Sequence, residues 1–333
     1  MKERWTAVAN VPLHSRRQFM GTLSMAAAAL TMPRMSAAQA GAKPLAGVFP
    51  IAFTPVRPDD VVDLDGLAAQ VRFCTRGGVH GIAWPQIASG WTNLTEQERL
   101  QGAEVMLAAA RGSRTSVVIG VQSRTGDLEE TERYTAQAEK LGAAAIICLL
   151  PRGVTAPADI VSYYQKVGQM TSLPLFAQTG GDFSVDVLVQ MFETIPTFRY
   201  VKDEAGNPLE RIAEIRARTG DRLKSFSGKG VATMMTEMER GFAGHCPYVS
   251  LADLYASAYD SYHAGNLRAA FDQFGRVQAA SSMFDQSDLN VLIARGVLRP
   301  DSTKRGAPAQ RTGPTPDEIK KMLDRYLAPY LKA

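Results

Sequence analysis

A regular alternation of short apolar runs with longer stretches of helical period limits the folds that this chain of 333 residues can adopt. Runs of four to eight β-forming residues favour strands, whereas apolar residues spaced three and four apart favour helices. Eight such strand–helix units in succession predict a closed (β/α)8 TIM barrel. The strand-like runs lie at 47–54, 81–85, 116–122, 144–150, 174–178, 199–203, 224–227 and 244–249.

An open, doubly wound parallel sheet is the alternative fold for the same alternation. That fold would predict a Gly-x-Gly-x-x-Gly turn after a strand, and the sequence contains none. After residue 262 the strand-like runs stop, and helical patterns follow near 266–284, 287–296 and 315–331. We therefore expect a barrel over 41–262 and a C-terminal helical extension over 263–333.

The first 40 residues have the features of an export signal. Paired arginines at 16–17 precede an apolar, alanine-rich stretch at 21–32, and Ala-Gln-Ala at 38–40 is a small-x-small cleavage site. This order predicts a twin-arginine-type signal over 1–40, cleavage after Ala40 and a periplasmic product. A retained anchor or an amphipathic helix is the alternative, although the apolar stretch is shorter than the about 20 residues that span a bilayer.

Charge and cysteine usage narrow the range of partners. The chain has 37 basic and 33 acidic residues, of which five and one precede position 41, so the remainder is balanced. A nucleic-acid-binding surface would need clustered surplus Lys and Arg, so this class is excluded. The three cysteines, Cys74, Cys148 and Cys246, lie far apart in apolar contexts and are predicted to be buried free thiols. No CxxC or His-rich cluster indicates a metal site.

The sixth strand-like run ends on Lys202. Chemistry in (β/α)8 barrels takes place at the carboxyl ends of the strands, and Tyr200, two residues earlier, would point into the same barrel mouth. Partial desolvation there favours the neutral amine, which can attack a carbonyl carbon and form a Schiff base. On spacing alone, a strand-end lysine is more often a solvated salt-bridge partner.

Several segments resemble the dihydrodipicolinate synthase/N-acetylneuraminate lyase family of Schiff-base aldolases. The run LAGVFPIAFTP at 45–55 is similar to that family's first strand, and LTEQER at 94–99 is similar to the start of its second helix. The most specific segment is VKDEAGN at 201–207, which is similar to the family's segment around its Schiff-base lysine. The resemblance covers most of 44–333.

The resemblance implies a (β/α)8 barrel in which Lys202 forms an imine with a pyruvate-like 2-oxo acid. The imine is itself the electron sink for making or cleaving a carbon–carbon bond, so no cofactor and no metal is expected. The resemblance also implies a homodimer or homotetramer.

Two departures from the family pattern affect the site. Where the family has Gly-Thr-Thr-Gly-Glu after its second strand, this chain has Gln-Ile-Ala-Ser-Gly at 86–90. Ser89 is the one hydroxyl there that could replace the threonines, and the backbone at Gly90 could also hold a carboxylate. At the end of the fifth strand the family's relay tyrosine is replaced by Gln178, whose amide donates hydrogen bonds but does not exchange a proton near pH 7.

Other polar residues at the predicted mouth are candidates for substrate binding. Arg152, which follows the fourth strand, could form two parallel hydrogen bonds to a carboxylate. Lys229 follows the seventh strand, where a second cation would favour the neutral amine of Lys202; the alternative is a solvated loop lysine. His245 is either a proton shuttle or a buried structural histidine.

These observations leave three functional hypotheses. The first is a periplasmic aldolase or lyase that acts on a small-molecule 2-oxo acid through Lys202. The second is a dehydratase of a sugar acid that uses the same imine to expel water. The third is a catalytically silent periplasmic barrel that binds a small acid, which the replaced threonines and tyrosine favour. None of the three involves nucleic acid or, after signal cleavage, a membrane.

Overall fold

The structure, a computed structural model, describes residues 44–181, 183–228, 231–285, 287–306 and 313–333. The predicted export signal at 1–40 and the candidate residue Lys229 lie outside the described residues. None of the helices in the described ranges combines the length and apolar character needed to cross a lipid bilayer.

Eight parallel strands form one sheet in the order β1-β8-β7-β6-β5-β4-β3-β2. The two ends of this order meet where Ile51 bridges Ala83, and the amide of Ala52 donates to the carbonyl of Ala83 at 3.0 Å. The sheet is therefore a closed (β/α)8 barrel, which confirms the predicted fold. The strands are β1 (Gly47–Val48), β2 (Gly81–Trp84), β3 (Ser116–Gly120), β4 (Ala145–Leu149), β5 (Leu175–Gln178), β6 (Phe198–Asp203), β7 (Lys224–Ser227) and β8 (Gly244–His245).

Each strand is followed by a helix that packs on the outside of the barrel. Several helices begin where side chains can cap them: Thr95 forms a capping box with Glu98, and Asp127 and Ser184 accept hydrogen bonds from the first turns of their helices. The barrel helices are α1 (Leu64–Arg76), α2 (Glu96–Ala110), α3 (Leu128–Lys140), α4 (Pro157–Gln169), α5 (Val185–Thr194), α6 (Pro208–Thr219), α7 (Met234–Glu239) and α8 (Ala252–His263).

The C-terminal extension is helical, as its periodicity predicts. It contains α9 (Leu267–Met283), α10 (Asp288–Ala294) and α11 (Pro316–Met322), followed by short π and 3-10 turns. Arg295, just after α10, pairs with Asp253 of α8 at 2.7 Å, and both side chains are almost fully buried. This ion pair fixes the extension against the barrel helices.

Side-chain alternation divides the core into two layers. Val201 of β6 belongs to the layer between strands and helices, whereas Tyr200 belongs to a cluster inside the barrel with Phe49, Phe176 and Phe226. The rings of Phe176 and Tyr200 stack with centroids 4.4 Å apart. The hydroxyl of Tyr200 accepts a hydrogen bond from the amide of Leu45, which precedes β1. Tyr200 therefore points inward as expected, but toward the amino-terminal end of the barrel and not toward its mouth.

Candidate active site

Lys202 lies inside the barrel near the carboxyl end of β6 and is 4% exposed. In the parallel ladder it is in register with Gln178 on one side and with Phe226 on the other. Its Nζ atom lies 2.9 Å from Oε1 of Glu204, whose side chain is 23% exposed. The prediction that Lys202 points into the barrel is therefore correct, and its amine is in contact with a carboxylate.

Gln178 holds the other oxygen of the same carboxylate. Its Nε2 atom donates to Oε2 of Glu204 at 2.6 Å. Its Oε1 atom is buried and has no hydrogen-bond partner within the described ranges. Gln178 therefore positions Glu204 beside Lys202, and its Oε1 atom can accept a further hydrogen bond.

The backbone beyond Lys202 is fixed by a network outside the barrel. The hydroxyl of Thr179 accepts from the amides of Glu204 and Ala205, and it donates to Oδ1 of Asp203 at 2.7 Å. Arg211 of α6 pairs with Asp203 at 2.9 Å, and the carboxylate of Asp203 is buried. Asp203 therefore pairs with Arg211 outside the barrel, whereas the adjacent Glu204 pairs with Lys202 inside it.

Lys202 and Glu204 line a cavity of about 480 Å³ at the carboxyl ends of the strands. The wall on the barrel side includes Ile51 and Cys246. The opposite wall comes from α8, α9 and the start of α10, and it includes Tyr255, Gln278, Ser281 and Asp288. The C-terminal extension thus completes the cavity in which the lysine lies.

Ser89 and Gly90, the two residues predicted to bind a carboxylate after β2, do not line the cavity of Lys202. Ser89 donates its hydroxyl hydrogen to the carbonyl of Ala52 at 2.7 Å and accepts from the amide of Gln86 at 3.1 Å. Its hydroxyl is therefore engaged by the backbone, and Ser89 and Gly90 line a separate small hollow. The cavity of Lys202 is lined instead by two apolar residues, Ile87 and Ala88.

The remaining predicted residues lie in different environments. Gln178 is brought together with Lys202 through Glu204. Arg152 is exposed in the turn after β4 and is not among the described residues that line the cavity. The position of Lys229 is outside the described residues, between Gly228 and Val231, which both line the cavity.

Several residues of the cavity carry no sequence pattern that predicts a role for them. Glu204, by contrast, lies in the family-like segment, and its two-residue spacing from Lys202 was the signal that could have identified it. Tyr255, Gln278 and Asp288 belong to helices beyond the last strand, and their amphipathic patterns carry no indication of a site. Only the packing of the extension over the barrel mouth brings them to the cavity.

Burial determines the protonation of several groups around the cavity. Desolvation raises the pKa of Cys246 to about 12, although the charge of Lys202 opposes this shift. Desolvation likewise raises the pKa of Tyr255 to about 12. Burial raises the pKa of Asp288 to about 6, against the effect of its hydrogen bonds from Ser250. All three cysteines are free and buried, as predicted.

His245 lies outside the barrel interior, at the end of β8. Its Nδ1 atom is 3.0 Å from Oε2 of Glu237, and both residues are fully buried. Burial opposes ionisation of Glu237, but hydrogen bonds from His245, Thr233 and Ser227 outweigh it and lower the pKa of Glu237. His245 is thus the buried structural histidine of the two roles considered. Within the described ranges, no group of three or more His, Cys, Asp or Glu residues is arranged to hold a metal ion.

The closed barrel makes this chain a (β/α)8 barrel protein. Its buried lysine–carboxylate pair lies in a cavity at the carboxyl ends of the strands, where the sites of this fold are usually found. The chain belongs to the dihydrodipicolinate synthetase family, whose model matches residues 44–280. The family resemblance that the sequence indicates is thereby confirmed.

Curated relatives are similar over part of their length. The 4-hydroxy-tetrahydrodipicolinate synthase of Methanosarcina mazei is 28% identical over 185 residues, which are 53% of this chain and 60% of the relative. The synthase of Alcanivorax borkumensis is 27% identical over 186 residues, which are 54% of this chain and 62% of the relative. The chain thus spans about three-fifths of the length of the curated relatives it matches.

Solved structures with the same fold cover more of the chain. Dihydrodipicolinate synthase from Rhodopseudomonas palustris has a TM-score of 0.74 at 22% identity, covering 84% of this chain and 97% of its own. N-acetylneuraminate lyase from Mycoplasma synoviae has a TM-score of 0.72 at 18% identity, covering 86% and 98%. At these identities the similarity establishes the shared barrel fold.

Proposed function

We propose that this protein is an aldolase or lyase that forms a Schiff base between Lys202 and a 2-oxo acid, and that it makes or cleaves a carbon–carbon bond. The observation that carries the proposal is the buried amine of Lys202, which lies in a cavity at the barrel mouth 2.9 Å from a carboxylate. Membership of the dihydrodipicolinate synthetase family supports the same activity.

The surroundings of Lys202 suit imine chemistry. Its side chain is largely removed from water, so little energy is needed to desolvate the amine before attack. After condensation, the protonated imine withdraws electrons from the neighbouring carbon atoms, which stabilises the carbanion that forms when a carbon–carbon bond breaks. The buried Oε1 atom of Gln178, a residue in register with Lys202, is a hydrogen-bond acceptor in the same part of the barrel.

Reductive trapping tests the proposal. The folded protein is incubated with pyruvate, 2-oxobutyrate, glyoxylate or 2-oxoglutarate, reduced with borohydride, digested and mapped by mass spectrometry. We expect a reduced adduct on the peptide that contains Lys202, and none on that peptide in Lys202→Arg. Lys166→Arg, a conservative change of a lysine on α4, is the matched control and should retain the adduct. Folded wild-type protein without an adduct from any of the four acids would contradict the proposal.

A small-acid-binding barrel without catalysis is the second candidate. It is favoured by Ile87 and Ala88, because these apolar residues line the cavity where the family carries threonines. The trapping experiment separates the two candidates, since binding alone leaves no covalent adduct. If an adduct forms, product analysis with sugar-acid substrates distinguishes carbon–carbon cleavage from dehydration.

We also propose that the protein is exported through the twin-arginine route to the periplasm and assembles as a homodimer or homotetramer. Export is supported by the paired arginines at 16–17 and by Ala-Gln-Ala at 38–40. Fractionation of cells that express the full chain, compared with a variant in which both arginines are lysine, tests the location. Sedimentation velocity of the purified protein tests the assembly.

A further inference from the structure

We infer that Glu204 is the proton-transfer group of the Lys202 amine, and that Gln178 is the positioning residue that holds it in place. This inference rests on the proposed function, because it concerns the steps by which the imine forms and hydrolyses. It follows from the contacts of three side chains at the ends of β5 and β6.

Imine formation requires several proton transfers at one nitrogen atom. The ammonium of Lys202 must lose a proton before its lone pair can attack the carbonyl carbon, and the hydroxyl of the resulting carbinolamine must gain one before it can leave as water. A group that accepts and then returns the proton must lie within hydrogen-bond distance of Nζ. Oε1 of Glu204 is 2.9 Å from that atom.

The proton transfers of imine formation need no group other than Lys202, Glu204 and the substrate. Lys202 gives one proton to Glu204, and its neutral amine forms the carbon–nitrogen bond as the carbonyl electron pair moves to oxygen. A second proton passes from nitrogen to that oxygen, which gives the neutral carbinolamine. Protonated Glu204 then returns its proton to the hydroxyl, water departs, and the nitrogen lone pair forms the protonated imine. The carboxylate ends the sequence in its starting state.

The other ionisable groups of the cavity are less suited to this role. Burial raises the pKa values of the Cys246 thiol and the Tyr255 phenol to about 12, so both hold their protons near neutral pH. The amide of Gln178 does not exchange a proton in this range. Asp288 lies on the opposite wall, formed by the extension, and among the described residues the carboxylate within 4.0 Å of Nζ of Lys202 is that of Glu204.

Two hydrogen bonds fix Glu204, and a glycine leaves room beside its carboxylate. Gln178 donates to Oε2 at 2.6 Å, which leaves Oε1 directed toward Lys202. The backbone amide of Glu204 donates to the hydroxyl of Thr179 at 2.9 Å. Gly228 leaves this room, since a Cβ atom there would lie 2.5 Å from Oε1 of Glu204. A carboxylate held in this way needs little reorganisation to exchange a proton with the amine.

The test measures the rate of imine formation. Wild-type protein is mixed with whichever of the four 2-oxo acids gives the wild-type adduct, quenched with borohydride at set times, and analysed by intact mass over a range of pH. Glu204→Gln keeps the shape of the side chain but removes the base, so we expect the first-order rate to fall by about 10²-fold or more. Glu204→Asp keeps a carboxylate and should recover part of that loss.

Controls separate proton transfer from structure. Glu210→Gln makes the same change at an exposed site on α6 and should leave the rate unchanged. Gln178→Leu should slow the reaction less than Glu204→Gln, while the shape of the pH profile is retained. In Glu204→Gly, added formate should restore part of the rate, which a purely structural role would not predict. Circular dichroism establishes that each variant is folded.

The outcomes distinguish this inference from the proposed function. A wild-type adduct together with a wild-type rate in folded Glu204→Gln would overturn the inference and leave the proposed function intact. Equal rates and equal pH profiles in the Gln and Asp variants, without rescue by formate, would also overturn it. The absence of any wild-type adduct would overturn both. Slow trapping in Glu204→Gln, partial recovery in Glu204→Asp and rescue by formate would support it.

Discussion

The amine of Lys202 and the carboxylate of Glu204 lie 2.9 Å apart, and a single residue, Asp203, separates them in the chain. Alternation along the end of β6 turns both side chains toward the cavity, while Asp203 between them turns outward to Arg211. A buried ammonium is stable only when it is paired, so the carboxylate also makes the burial of Lys202 possible.

Replacement of Gly228 should disturb the pair directly. A Cβ atom at this position would lie 2.5 Å from Oε1 of Glu204 and 2.7 Å from Cε of Lys202. We expect Gly228→Ala to slow borohydride-trapped imine formation by about 10²-fold, because misplacement of a reacting group by about 1 Å has an effect of this size. Gly180→Ala is the matched control, since among the described residues no atom beyond its own chain neighbours lies within 4 Å of its Cβ position. A wild-type rate in Gly228→Ala would contradict the geometry.

The buried pair of Arg295 and Asp253 should contribute strongly to stability. Removing one partner leaves an uncompensated buried charge, so Arg295→Met should lower the free energy of unfolding by about 3–5 kcal/mol. Arg299→Met, which breaks an exposed pair with Asp301, should leave stability nearly unchanged. Urea unfolding followed by circular dichroism measures both. An equal decrease in the free energy of unfolding in the two variants would contradict the prediction that the buried pair contributes more than the exposed one.

Asp288 should make stability depend on pH. Its folded-state pKa of about 6 lies above the ordinary value, so ionisation destabilises the folded protein as pH rises through 6, and the penalty is absent below about pH 4. Asp288→Asn keeps the acceptor for the amide of Ser250 and removes the penalty. We expect the variant to exceed wild type by up to about 3 kcal/mol at pH 7.5. At pH 4 the two should converge; a difference that is the same at both pH values would refute this account.

Cys246 should be protected from alkylation although it lines the cavity. A pKa of about 12 leaves only a small thiolate fraction at pH 8, so modification by iodoacetamide should be about 10³-fold slower in the folded protein than in urea. Cys148, whose pKa is also raised to about 12, is the comparison outside the cavity. A reduced adduct on Lys202 should protect Cys246 further and leave Cys148 unaffected. Peptide mass mapping over time measures both rates, and rapid labelling of native Cys246 would be inconsistent with its burial.

The periodicity of the sequence predicted the barrel well because each strand–helix unit forms from local patterns. The helix starts at Thr95, Asp127 and Ser184 could be read directly, since a cap involves residues within one turn. The shortness of β1 and β8 was not predictable. Their runs at 47–54 and 244–249 are apolar throughout, and the extent of regular pairing depends on how the barrel closes.

Within the site, the sequence identified Lys202 and its inward direction, because strand alternation is local. It could not decide what Ser89 does, since the hydroxyl is engaged by the carbonyl of Ala52, 37 residues away in the chain. Arg152 was a reasonable candidate by its place after β4, yet the turn leaves it exposed. Both outcomes depend on the path of a loop, which side-chain chemistry alone does not fix.

The alternating barrel, the inward lysine, the three buried thiols and the family of the chain could all be predicted from local sequence patterns. The pairing of Glu204 with Lys202, the hydrogen bond from Gln178 to Glu204 and the cavity wall formed by the C-terminal extension appear only in the folded chain. Periodicity, caps and strand alternation act over a few residues, whereas the site is formed by packing between elements that are far apart in the chain.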